Sequence, residues 1–133
     1  MRDLKLPFLE HIGAVVEELS KDRAILSIDV QEYHLQHLGY VHGGVISSLA
    51  DNTGWYAVIA NLSESKTSVT IEIKINYLKP AKMGKLKAVG KVIKIGKRVA
   101  FAVVEVYMQD ELVAYATGTY AILEKEVSHE GMS

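Results

Sequence analysis

Asp51 is the one charged residue between Gly43 and Asn61, a stretch dominated by Val45, Ile46, Leu49, Ala50, Trp55, Ala57, Val58 and Ile59. A carboxylate in such company costs several kcal/mol unless it is hydrogen-bonded, paired or protonated. It is also what hydrolysis needs, because it can take a proton from water or attack a carbonyl carbon itself. The plain alternative is a polar stripe shared with Ser47, Ser48 and Asn52. Nine positions before the aspartate, His42-Gly43-Gly44 opens the same stretch. Glycine there lets the chain turn into a helix at little steric cost. The same lack of side chain exposes peptide N–H groups at a helix N-terminus, where the dipole favours a developing oxyanion. The pair suits acyl transfer to water.

Other reactive residues are less telling. His42 fits either a general base or a group that orients its loop, and the orienting role is the commoner for a lone histidine before a glycine turn. His34 and His37 lie nearby, but with His42 they lack metal-ligand spacing, so no metal is expected. Ser47 and Ser48 lack the Gly-x-Ser-x-Gly elbow of serine hydrolases. Lys94-Ile95-Gly96-Lys97-Arg98 is the one compact basic cluster at a turn; with Lys79, Lys82 and Lys85 it offers phosphate contacts, or else a solvated hairpin. No phosphate-binding or dinucleotide fingerprint appears.

The elements that position these residues read clearly. A short amphipathic opening around Pro7 allows a turn or two of helix. His11–Leu19 and Arg23–Val30 have strand character, the second alternating Ala24, Leu26, Ile28 and Val30 with Arg23, Ser27 and Asp29. A polar loop from Gln31 to Val41 leads into the helix, about 18 residues and about 27 Å long. Apolar nearly all round, it must be buried. Ser68–Leu78 then alternates Ile71, Ile73, Ile75 and Tyr77 with Thr70, Glu72, Lys74 and Asn76. Lys85–Ile95, Arg98–Gln109 and Leu112–Leu123 follow across short turns, as antiparallel hairpins or a meander. Ala114, Ala116 and Gly118 leave one face of the last strand open to close approach. From Glu124 the tail is polar.

The expected fold is therefore α+β, one long helix wrapped by a curved antiparallel sheet of about six strands, in a single domain over residues 1–133. One sheet layer cannot bury the whole helix, so a second subunit should cover the rest. The 133 residues are 49% hydrophobic, enough for a core without disulfides or metal. There is no cysteine, which removes thiolate chemistry and points to the cytoplasm. A net charge of −1, from 15 basic and 16 acidic residues, gives no global attraction to nucleic acid or anionic membranes. No segment approaches a membrane span, and Met1–Glu10 lacks the apolar run of a signal peptide.

The motifs His42-Gly43-Gly44-Val45-Ile46-Ser47-Ser48-Leu49-Ala50-Asp51, Asn76-Tyr77-Leu78-Lys79-Pro80-Ala81 and Gly96-Lys97-Arg98 resemble those of hotdog-fold thioesterases, in the phenylacetate-pathway (PaaI-like) and mammalian THEM-type branch. The resemblance runs from about Gly13 to Leu123. It implies dimers that usually form tetramers, with active sites at the dimer interface. By that resemblance Asp51 is general base or nucleophile, and the Gly43 N–H polarises the thioester carbonyl. Thr70 matches a hydroxyl residue that positions water. Asp51 and Thr70 would come from one subunit and the Gly43 loop from the other. Gln36 stands where some relatives have asparagine, keeping the amide on a longer stem. Gly44, Lys79, Pro80, Gly96, Lys97 and Arg98 match positions that hold substrate.

The implied activity is hydrolysis of an acyl- or aryl-acyl-CoA, with coenzyme A as part of the substrate and no separate cofactor. A rival is a non-catalytic acyl-CoA binding protein on the same fold. A hydratase of that fold uses a different Asp–His arrangement, not found here. Trp55, Tyr56 and Tyr77 suit an aromatic pocket or ordinary core equally well.

Overall fold

The computed structural model describes residues 5–125. Met1 to Leu4, and the polar tail beyond Lys125, lie outside it. Pro7 opens a one-turn helix, α1 (Pro7–His11), and Gly13 at φ +80° turns the chain into β1 (Ala14–Leu19). The Ser20 hydroxyl accepts from the N–H groups of Asp22 and Arg23, which closes the turn into β2 (Ala24–Asp29). The next loop is pinned by His34, which is buried. Its Nδ1 accepts from the Gln31 N–H at 2.8 Å, and its Nε2 donates to the Ile12 carbonyl at 2.7 Å. His34 is thus a structural fastener between loop and α1.

The long helix α2 (Gly43–Ile59) follows, then β3 (Lys66–Tyr77), β4 (Lys85–Ile95), β5 (Val99–Met108) and β6 (Glu111–Glu124). All six strands pair antiparallel in the order β1-β2-β4-β5-β6-β3. This is the expected α+β hotdog arrangement. Leu26, Ile28, Leu86, Ala88, Val104, Val106, Ala114 and Ala116 form the inner face, and Ile46, Leu49, Ala50 and Ala57 of α2 close over it. The helix is covered on most of its surface. Ser47, Ser48, Asp51, Asn52 and Trp55 form a half-buried stripe along the rest.

One slot in this core is cut to shape. Tyr120 of β6 is wholly buried, and a Cβ at Gly54 would lie 2.2 Å from its hydroxyl oxygen; one at Gly118 would lie 2.6 Å from its ring. Overpacking of this kind typically costs about 1–3 kcal/mol. Gly54→Ala is therefore expected to lower the unfolding free energy by about that amount in urea titration.

Strand β3 departs from strict alternation. Its pairing with β6 passes from Thr70↔Tyr120 to Glu72↔Thr119, leaving Ile71 without a partner in a β-bulge. An extra residue reverses which side chains face inward beyond it. Ser68 and Thr70 face α2 before the bulge; Ile73, Ile75 and Tyr77 face it after. Regular alternation would put Thr70 on the opposite face from Ile73. The bulge puts both on the helix side.

Candidate active site

Asp51 sits at the middle of α2, half-buried on the stripe that faces β3. Thr70, turned inward by the bulge, donates its hydroxyl to Asp51 Oδ1 at 2.8 Å. Tyr120, opposite Thr70 in the β3–β6 register, donates its hydroxyl to the main-chain carbonyl of Asp51 at 3.0 Å. One turn on, the Trp55 indole N–H donates to the Ser68 carbonyl at 2.8 Å and ties the helix to β3. Trp55 is thereby a tether as well as a half-buried ring. The Ser68 hydroxyl, buried at this junction, has no hydrogen-bond partner among the described residues.

The helix entrance forms a second cluster. His42 is the N-cap, its Nδ1 accepting from the Gly44 N–H at 2.9 Å. That bond requires an unprotonated Nδ1 and so holds the ring in one tautomer. The Gly43 N–H has no partner among the described residues, whereas the Gly43 carbonyl accepts from the Tyr77 hydroxyl at 2.9 Å. A Cβ at Gly43 would lie about 3.4 Å from the Tyr77 ring, an ordinary van der Waals contact. Gln36 Oε1 accepts from the N–H groups of Leu38 at 2.5 Å and Tyr40 at 3.3 Å, folding the preceding loop upon itself. Gln36, Tyr40, Gly43, Ile46, Tyr77 and Pro80 line a groove of about 350 Å³ beside the entrance.

These two clusters do not meet within one chain. From Gly43 to Asp51 is eight steps of helix, about 12 Å at 1.5 Å each. From Tyr77 back to Thr70 is seven steps of strand, about 23 Å. One thioester carbonyl cannot touch both Gly43 N–H and Asp51 of the same chain. The basic residues divide likewise. Lys79 and Pro80 lie at the groove, where Lys79 Nζ pairs with Glu111 Oε2 at 2.7 Å. Lys97 and Arg98 are exposed on the β4–β5 turn, closed by the Gly96 N–H on the Val99 carbonyl. The Arg98 carbonyl accepts from the Ile122 N–H, so this turn belongs to the Thr70 end of the sheet. Gly44 and Gly96 carry no side chain and act through the main chain, their N–H groups donating to His42 Nδ1 and to the Val99 carbonyl.

Two residues of the carboxylate cluster were not anticipated from sequence. Tyr120 left one clue: it shares the parity of Ala114, Ala116 and Gly118, so its hydroxyl enters the core and needs a partner there. Ser68 left none.

A six-stranded sheet in this order, curled round one long helix, makes the protein a hotdog-fold protein. Within that class the chain belongs to the thioesterase superfamily, whose family model matches residues 38–115, and it is a thioester hydrolase. A Saccharolobus solfataricus protein provisionally named an esterase is 36% identical over 123 residues, spanning 92% of this chain and 81% of its own length. Human acyl-coenzyme A thioesterase 13 is 29% identical over 110 residues, 82% of this chain and 74% of that protein. A thioesterase structure from Haemophilus influenzae superposes with a TM-score of 0.86 at 25% identity, covering 92% of this chain and 86% of that one. A mutant of the phenylacetic acid degradation protein of Thermus thermophilus gives 0.80 at 29% identity, covering 87% and 98%. Among the described residues no helix is long and apolar enough to cross a membrane.

Proposed function

We propose that the protein releases coenzyme A from acyl-CoA thioesters at two identical sites, each shared between the two copies of a symmetric dimer. The observation that carries this reading is the Asp51 carboxylate, held by Thr70 at 2.8 Å on a half-open stripe beside a free sheet edge. Strand β3 ends the sheet and exposes Val69 and Ile71 at 50% and 57%. Such an edge invites a second strand. Antiparallel pairing of two β3 strands about an axis between Ile73 and Lys74 sets residue 70 of one copy across from residue 77 of the other. The Asp51–Thr70 cluster then meets the partner copy's Gly43 entrance, which supplies the donor that Asp51 lacks in its own chain. Association of two such dimers into a homotetramer extends the same reading.

In this site the thioester carbonyl oxygen accepts from the Gly43 N–H, at the positive end of the helix. Asp51 takes a proton from water as the water oxygen bonds to the carbonyl carbon, and Thr70 keeps the carboxylate aimed. The tetrahedral oxyanion collapses, the C–S bond breaks, and the departing thiolate receives the proton from Asp51. The free acid and coenzyme A leave. Direct attack by Asp51 is the alternative first step, giving a mixed anhydride that water then opens. His42 orients the entrance, because its Nδ1 is committed to the Gly44 N–H. Gln36 shapes the loop over the groove and presents its amide towards the thioester. Lys97 and Arg98 on the Gly96 turn meet coenzyme A phosphates, with Lys79, Pro80 and Gly44 bordering the entry. Coenzyme A enters only as part of the substrate, and no further cofactor is invoked.

The test is thiol release, followed with a thiol reagent, across thioesters from acetyl through palmitoyl to phenylacetyl and hydroxybenzoyl. Turnover on members of the panel is expected. Tight binding with no turnover on any of them would replace the reading by a ligand-binding role. The phosphate assignment has its own check. Lys97→Ala and Arg98→Ala should each raise KM for coenzyme A thioesters by about three- to tenfold. Pantetheine thioesters, which lack the nucleotide phosphates, should show no change. An equal rise on both substrate types would remove these residues from the phosphate site.

A further inference from the structure

We infer that Tyr120 is a positioning residue for Asp51, acting from beneath the helix through the hydroxyl it donates to the Asp51 main-chain carbonyl at 3.0 Å. The inference rests on Asp51 being the catalytic carboxylate. Thr70 and Tyr120 are cross-strand partners, so a single rung of the sheet holds Asp51 twice. Thr70 fixes the carboxylate, and Tyr120 fixes the backbone from which it grows. The two holds differ in kind. A threonine hydroxyl sets the rotamer of the side chain. A tyrosine locked in the core sets how far the whole helical turn stands from the sheet.

The surroundings make that lock rigid. The ring has no room to retreat, with Gly54 and Gly118 against it and its own exposure at zero. Burial pushes the hydroxyl well above the ordinary tyrosine pKa, and the charge and hydrogen bonding of Asp51 add to the shift. The hydroxyl therefore stays protonated and keeps donating wherever the enzyme works. Losing it does not empty the slot, because phenylalanine fills the same space. What it frees is the turn carrying Asp51. In a site assembled from two chains, a misplacement of about 1 Å can cost about a hundredfold in rate.

The experiment is a double-mutant cycle of Thr70→Val and Tyr120→Phe, with Asp51→Asn alongside, read as kcat and KM on a turned-over thioester. Dimer content and thermal midpoint are recorded for each variant. Tyr120→Phe is expected to lower kcat about ten- to a hundredfold with KM nearly unchanged. The double mutant should fall by less than the product of the two single losses, because both act on one carboxylate. If Tyr120→Phe keeps its kcat, or loses activity only in step with dimer or folded protein, the positioning role is wrong. If the two losses simply multiply, Tyr120 acts independently of Thr70, and the joint hold on Asp51 is wrong. Activity surviving in Asp51→Asn would instead overturn the underlying assignment of the carboxylate.

Discussion

Asp51→Asn should lower kcat by about a thousandfold or more while leaving the fold and the oligomer intact. The substitution changes little in shape: the amide oxygen can still accept from the Thr70 hydroxyl, as Oδ1 does at 2.8 Å. What disappears is the anion. An amide can neither remove a proton from water nor attack a carbonyl carbon, and general base catalysis alone contributes about a hundred- to ten-thousandfold. A non-hydrolysable thioether analogue of the substrate should bind the mutant as well as it binds the parent, because the loss belongs to the transition state. Full activity in both Asp51→Asn and Asp51→Ala would sink the mechanism. Single-turnover hydrolysis by the parent enzyme in labelled water tests the direct-attack step. Label entering the Asp51 carboxylate marks an anhydride that water opened at Asp51, whereas label confined to the released acid is the result that activated water requires.

Most of the fold is legible in the sequence, because its punctuation is strong. Gly96-Lys97 and Asp110-Glu111 break the last three strands where the chain turns, and β4 runs over the expected Lys85–Ile95. His42-Gly43-Gly44 marks the start of α2, which ends at Ile59, two residues short of the expected Asn61. His11–Gly13 is the exception at the other end: these residues finish α1 and turn, so β1 starts only at Ala14. The harder matter is which way side chains point. In Ser68–Leu78 the isoleucines fall into a regular alternation with Thr70 in the other set. The bulge at Ile71 breaks that alternation and has no composition signal of its own. Thr70 is therefore reachable from sequence only through family resemblance, and its inward aim follows from pairing with a strand far along the chain. Tyr120 is hidden for a related reason. Its hydroxyl finds a partner on another element, and only packing against Gly54 and Gly118 says which.

Two inactive variants should restore each other when mixed, and this result distinguishes a shared site from a site within one chain. Gly43→Pro removes the N–H proposed to hold the oxyanion. Proline is well tolerated at the first helical position, where that N–H has no partner in the helix. Its ring must be accommodated beside Tyr77, so melting temperature and dimer content accompany the assay. Alone, the Gly43→Pro dimer has two carboxylates and no carbonyl donor at residue 43. Alone, the Asp51→Asn dimer has the donor twice and no carboxylate. Unfolded together and refolded as an equal mixture, half of the dimers carry one chain of each kind. In each of these, one site takes Asp51 from the Gly43→Pro chain and Gly43 from the Asp51→Asn chain, while the other site is doubly defective. Activity should return to about one quarter of the parent level. If Gly43 and Asp51 of the same chain served one carbonyl, every site in the mixture would lack one of them and nothing would return. The helix already weighs against that case, since eight residues of rise hold the two groups about 12 Å apart. A carbonyl oxygen and the carbon bonded to it cannot span that distance, so under the proposed mechanism the Gly43 that serves an Asp51 site comes from another chain.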